Sequence, residues 1–135
     1  MSQDSSWEVQ SAIFHVLTNN ANLTSLLAEE VNSVCDHVLS NAIFPYIVIG
    51  ESSGSEFECG GFAVNITIHS YSKTAGMSEI KQIMAETYNA LNNQEFNIPN
   101  HKLILCLMQS SNVKLAGDGK TRHGVQQFRI ITEEV

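Results

Sequence analysis

Phe62-Ala-Val-Asn-Ile-Thr-Ile-His-Ser-Tyr71 is the stretch whose reading decides the fold. Phe62, Val64, Ile66 and Ile68 recur on one side, and Asn65, Thr67, His69 and Tyr71 on the other. A strict period of two, carried by β-branched and aromatic residues, is the pattern of a half-buried strand. Ser72-Lys-Thr-Ala-Gly76 breaks the alternation, and the period then changes. From Met77 to Leu91, Ile80, Ile83, Met84, Thr87, Tyr88 and Leu91 fall at helical spacing on one face. That stripe needs an apolar surface to cover, and the apolar side of the preceding strand's sheet supplies it.

Upstream, Ser5-Ser-Trp-Glu8 reads as a capping box, with Ser5 as N-cap and Glu8 at the third helical position. The helix it opens carries Val9, Ile13, Val16 and Leu17 on one face and ends near Asn19-Asn20. Leu23–Glu30 reads as a further short helix, Val31–Val38 as a short strand, and Asn41–Phe44 as a turn set by Pro45. Tyr46–Gly50 is a continuous β-branched run, expected as a central strand buried on both faces. Glu51–Gly61, rich in Gly, Ser and Glu, reads as a long hairpin tip.

Downstream, Asn92–Asn100 is a loop closed by Pro99, and Lys102–Val113 a long strand. Gly117–Lys120 is a tight turn in which Asp118-Gly119 suits a primed hairpin, and Thr121–Thr132 is the returning strand. The expectation is a single α+β domain over residues 1–135: a mostly antiparallel sheet of four to five strands, one long helix packed on it, and N-terminal helices.

The 135 residues, 43% of them hydrophobic, are enough for one real core. No apolar run approaches the ~18 residues of a membrane span, and the opening residues lack a basic leader, so a cytosolic chain is expected. Cys35, Cys59 and Cys106, odd in number and widely spaced, fit buried free thiols. The net charge of −7 argues against a protein that grips nucleic acid through phosphates. Its distribution is uneven: eight acidic and no basic residues precede Lys73, whereas seven basic and six acidic follow from Lys73 onward. Oppositely charged patches on one domain can meet head to tail in a ring.

Catalytic and metal patterns fail on inspection. Gly117-Asp-Gly-Lys-Thr121 lacks the earlier glycine of a phosphate loop, where Lys114 stands, and a strand rather than a helix follows. Cys35-Asp36-His37 has no metal spacing, and the five histidines are scattered singly. A Cys59–His69 thiolate pair is conceivable, but a loop cysteine and an exposed strand histidine are ordinarily inert. The residues themselves describe a non-enzymatic domain without metal or cofactor.

Three segments together resemble the tail terminator, or tail completion, proteins of long-tailed bacteriophages and gene transfer agents. Phe44-Pro-Tyr-Ile-Val-Ile-Gly-Glu51 resembles that family's F/YPYVVIGE strand. Ile66-Thr-Ile-His-Ser-Tyr-Ser72, running into Met77–Leu91, is similar to its LTLHVWS strand and following helix. Asp118-Gly-Lys-Thr-Arg-His-Gly-Val-Gln-Gln-Phe-Arg129 resembles its D-G-x-T-R-H-G-V-x-x-F/Y-R ending, and Ala12–Leu27 its opening.

The resemblance implies a structural protein with no catalytic residues, forming a ring, typically hexameric, that caps the tail tube and presents a surface to the head or neck. Its partners are then further copies of itself, the tail tube protein and a head-completion or neck protein, with DNA passing through unbound. It implies assembly in the bacterial cytoplasm and residence in the tail or neck of the particle, with no membrane. Glu51, Glu56, Phe57, Glu58, Lys73, Lys120 and Arg122 are the expected interface or lumen residues, with subunits joined through sheet edges. A head-closure protein of the same particle is the alternative, and a small ligand-binding domain or enzyme the alternative of a different class.

Overall fold

The computed structural model describes residues 4–37, 41 and 43–134. Along the chain run α1 (Ser6–Thr18), α2 (Ala21–Thr24), β1 (Val34–Cys35), β2 (Tyr46–Phe57), β3 (Gly61–Ser72), α3 (Ser78–Leu91), β4 (His101–Leu115) and β5 (Arg122–Glu134). The strands form one sheet in the order β1-β2-β3-β5-β4. The two-residue β1 lies parallel to β2, and every other pairing is antiparallel. This is the α+β architecture that the alternation and the helical stripe dictate.

The register explains the core. Val64 stands opposite Ile130 and Ile66 opposite Phe128, with Cys106 and Met108 of β4 continuing the same rows. This face meets Val9, Ile13 and Leu17 of α1 and Ile83 and Leu91 of α3 in one cluster. Gln126, buried on the same face, donates from Nε2 to the Met84 carbonyl at 2.9 Å and ties α3 to β5. Gly124 lets that helix close in: a Cβ there would stand 2.5 Å from Met84 Sδ. Tyr88, read as part of the stripe, instead lies at its border, 39% exposed, its hydroxyl accepting from Asn92 Nδ2.

Several local expectations are corrected. The capping box does not form: the Ser5 hydroxyl makes no cap bond and meets Thr132 Oγ1 at 2.7 Å, while Asp4 Oδ1 accepts from Ser6 N–H. The second helix is only Ala21–Thr24, capped by Asn20, and a 3-10 turn follows at Glu30–Ser33. The strand expected over Val31–Val38 shrinks to Val34–Cys35, and Val38 lies outside the described residues. Tyr46–Ile49 is buried on both faces as expected, although β2 is next to the edge rather than central.

The largest correction concerns residues 51–61, which are not a loop. After a bulge between Ile49 and Ser52, β2 stays paired with β3 through Phe57. The turn is only Glu58–Gly61, with successive positive φ at Cys59 (59°) and Gly60 (82°) and the Gly61 N–H bonded to the Glu58 carbonyl. That is the primed hairpin turn. Asp118-Gly119 is not one: only Gly119 has positive φ, and its N–H bonds to the Ala116 carbonyl in a longer four-residue connection. Serines, glycine and glutamate fill the far half of β2 because it is an exposed edge, not because it leaves the sheet.

Candidate functional site

The helices pack on one face of the sheet, leaving the other face without a helix among the described residues. Odd-numbered residues of β3 project there, opposite odd-numbered residues of β5. Its upper part is a ladder of rings. Tyr46 stacks on Tyr71 at 4.9 Å, Tyr71 on His123 at 4.6 Å, and His123 on His69 at 5.0 Å. Burial raises both tyrosine hydroxyls above their ordinary value.

Hydrogen bonds order the acidic end of this ladder. His69 Nε2 lies 2.8 Å from Glu51 Oε1, and His69 Nδ1 lies 2.8 Å from His123 Nε2. A carboxylate only accepts, so His69 carries its proton on Nε2; with His69 neutral, His123 donates from Nε2. The bond from His69 holds Glu51 below the ordinary carboxylate range. Burial, then the neighbouring His69, lowers His123. Gly50 leaves room for the ring, since a Cβ there would stand 2.6 Å from His69 Cδ2. Below the ladder, Glu51, Ser53, Asn65, Thr67, Gln109 and Gln127 line a polar groove of about 480 Å³.

This chain of groups was not legible in single residues. His69 and His123 stand 54 positions apart, and only the pairing of β3 with β5 brings them together. Their shared parity in two antiparallel strands was the available signal. His69 is engaged by Glu51 and His123, not by Cys59, which sits exposed at the hairpin turn. That exposure corrects the expectation of three buried thiols. Cys106 is buried, and burial pushes its thiol up to about 12; Cys35 is half-buried. Gly117–Thr121 lies between two strands, as its rejection as a phosphate loop requires.

The expected interface residues separate into two ends. Glu56 and Phe57 close β2 and Glu58 opens its turn, whereas Glu51 sits at the bulge beside His69, away from the tip. Lys73, Lys120 and Arg122 gather at the opposite end. Ser72 pairs with Arg122 there, Lys73 Nζ lies 4.4 Å over the Phe44 ring, and the Lys73 charge contributes to lowering Asp118. Asp118 is lowered to about 2 mainly by donors from Thr121 and Lys120, and so locks the β4–β5 turn. The 12 residues of β3 connect the two ends, a distance of about 36 Å at ~3.3 Å per residue. The first end is net acidic, with Glu56, Glu58, Glu133 and Glu134 against Lys102 and Arg129, and the second net basic, with Lys73, Lys114, Lys120 and Arg122 against Glu79 and Asp118.

Sheet order, helices on one face and a polar opposite face together define an α+β domain. A chain in the solved structure "Virion of native gene transfer agent (GTA) particle" shares this fold, with TM-score 0.81 over 93% of this chain and 94% of that one, at 19% identity. No curated protein matches in sequence. The family model for the tail completion protein gp17 matches residues 11–133, and the chain belongs to that family. It is thus a tail completion protein of a phage or phage-like particle, with its place in the tail or neck.

Proposed function

We propose that the protein is a non-catalytic ring component that caps the tail tube and joins it to the head or neck. The observation carrying this reading is the family match across residues 11–133. The bipolar sheet supports it. A ring of identically oriented subunits presents one acidic rim, with Glu56 and Glu58, and one basic rim, with Lys73, Lys120 and Arg122. Two chemically different rims suit two different partners, the tube on one side and the neck on the other. The helix-free face lines the bore; there Glu51 and Glu133 stand with Lys102, Lys114 and Arg129 around the polar groove, and charges of mixed sign give DNA phosphates no uniformly basic wall to grip.

Native mass measurement of the free protein, and of protein bound to isolated tail tubes, tests the ring. A single closed multiple of the 14.9 kDa chain, six copies in this reading, is expected on tubes. Only monomers on tubes would end it. Replacing Glu51 by Lys should leave the fold intact and slow DNA delivery from assembled particles. Normal delivery from fully assembled Glu51→Lys particles would remove this side chain from the DNA path.

A further inference from the structure

The two edges of the sheet are open over different halves. On the β2 side, β1 covers only Ile47 and Val48, so Ser52–Phe57 is exposed throughout and has no strand on its outer side among the described residues. On the β4 side, the α3–β4 connection covers the lower half: Asn93 N–H bonds to the Cys106 carbonyl at 2.7 Å, and Asn92 Oδ1 accepts from Met108 N–H at 2.9 Å. Ser110–Leu115 has no such cover among the described residues. Each open segment pairs without a bulge to its inner neighbour, Ser52–Phe57 to β3 and Ser110–Leu115 to β5. An edge of unpaired backbone groups is a template for another strand.

We infer that Ser110–Leu115 of one copy pairs antiparallel with Ser52–Phe57 of the next, so that the sheets of successive copies join into one. The inference rests on the ring reading above and names its interface. The strand directions alternate from β2 to β4, so copies in the same orientation meet with β4 antiparallel to β2. Full overlap of the two six-residue segments, with their faces matched, sets Ser55 opposite Asn112 and Gly54 opposite Val113.

Charge at the join is sparse and unopposed: Glu56 is the one charged residue of Ser52–Phe57 and Lys114 that of Ser110–Leu115, and in this register Glu56 faces Ser111 and Lys114 faces Ser53. Beside the β2 edge lies a groove of about 570 Å³ between α1 and β1, lined by Trp7, Phe14, Val34 and Ile49. Trp7 is 66% exposed. An added strand points alternate side chains toward α1, and Val113 and Leu115, the latter 50% exposed, are the ones that reach this groove.

The stagger also fits a closed ring. The two open segments lie six rows apart on the sheet, Ser52 on the row of Ile66 and Leu115 on the row of Ser72. Six residues are about 20 Å along the strands, and four strands about 19 Å across them. Strands therefore tilt about 46° from the ring axis, close to the ~35–45° of closed barrels. With the right-handed β3–α3–β4 crossover that such connections adopt, the tilt follows the natural twist only when the helices lie outside. The helix-free face then lines the bore.

Paired cysteines test the join. Ser55→Cys and Asn112→Cys are placed in one chain carrying Cys35→Ala and Cys59→Ser, and treated with a short bis-maleimide at high concentration and on tail tubes. A ladder of crosslinked copies is expected from the double variant, only dimers from the two single variants mixed, and none from either alone. Crosslinking of Asn112→Cys with itself would mean two-fold β4–β4 pairing and overturn the inference. So would the absence of a ladder. Closed rings by native mass without the ladder leave the ring and sink only this interface, whereas no rings and no ladder sink both. Trp7, the sole tryptophan, gives a second readout: its emission shifts to the blue on association, and an unchanged spectrum in assembled rings contradicts the packing of Leu115 beside it.

Discussion

The two halves of β2 belong to one unbroken strand yet live in different surroundings. Tyr46–Ile49 is buried on both faces and flanked by β1 and β3, whereas Ser52–Phe57 is exposed at every residue and, among the described residues, paired on one side only. The first half holds the fold together and the second holds no core. The contrast shows that backbone pairing and side-chain burial are separable. A strand needs a partner ladder on one side, and its free side remains open to a second chain.

The contrast predicts unequal costs. Ile47→Ala in the buried half should destabilise by about 2–5 kcal/mol, as should Ile83→Ala and Leu91→Ala in the helix covering the same core. Ser53→Ala and Ser55→Ala should stay within about 0.5 kcal/mol. Chemical denaturation measures all five, and equal costs in the two halves would erase the distinction. At the bulge between the halves, Gly50→Ala drives a methyl against His69 and should cost about 1–3 kcal/mol, the range for overpacking. In its NMR spectrum the His69 and His123 ring signals should move together; unmoved rings would mean that the bulge does not position them.

Thiol chemistry sharpens the comparison of exposed edge and interior. Cys59, at the tip of the exposed half, should alkylate at once in the native protein, whereas Cys106 should wait for unfolding, because burial both hides the thiol and holds it protonated. Denaturation without reductant should then expose three alkylatable cysteines by mass spectrometry. A disulfide in freshly prepared protein would contradict that count.

The smallest effect concerns pH. His123 titrates below the ordinary 6.5 of histidine in the folded chain. As pH falls, the unfolded chain takes up its proton first, so this group's contribution is complete above about 6.5 and is lost as pH drops through the folded value. Asp118 behaves similarly at lower pH: its contribution is present above 3.8 and lost as pH approaches about 2. NMR titration reads both, and a His123 midpoint above 6.5 would reverse the sign of the first.

Much of this architecture could be read in residues whose side chains choose between oil and water. The alternation of Phe62–Tyr71 and the stripe of Ile80, Ile83, Met84 and Leu91 gave strand, helix and their contact, because burial enforces the period. Where burial does not act, the reading failed. Ser52–Phe57 looked like a loop since its composition reports exposure, while the ladder that makes it a strand is carried by backbone groups common to every residue. Local spacing marks Ser5 as a cap because it cannot reveal Thr132, 127 residues further along the chain. The Glu51–His69–His123 chain escaped for the same reason: its geometry is created by strand register. The family resemblance supplied the class of assembly, and the charges at the two ends became interpretable only once the hairpins were placed.

Hydrogen exchange of the free protein and of protein within assembled tails tests most directly whether the exposed half of β2 is an assembly surface. Amides in Ser52–Phe57 and Ser110–Leu115 should exchange rapidly in the dilute free chain and slow markedly in the particle, while Tyr46–Ile49 stays protected in both. Equal exchange of the two edge segments in free and assembled protein would show that neither edge is covered, and would contradict the account.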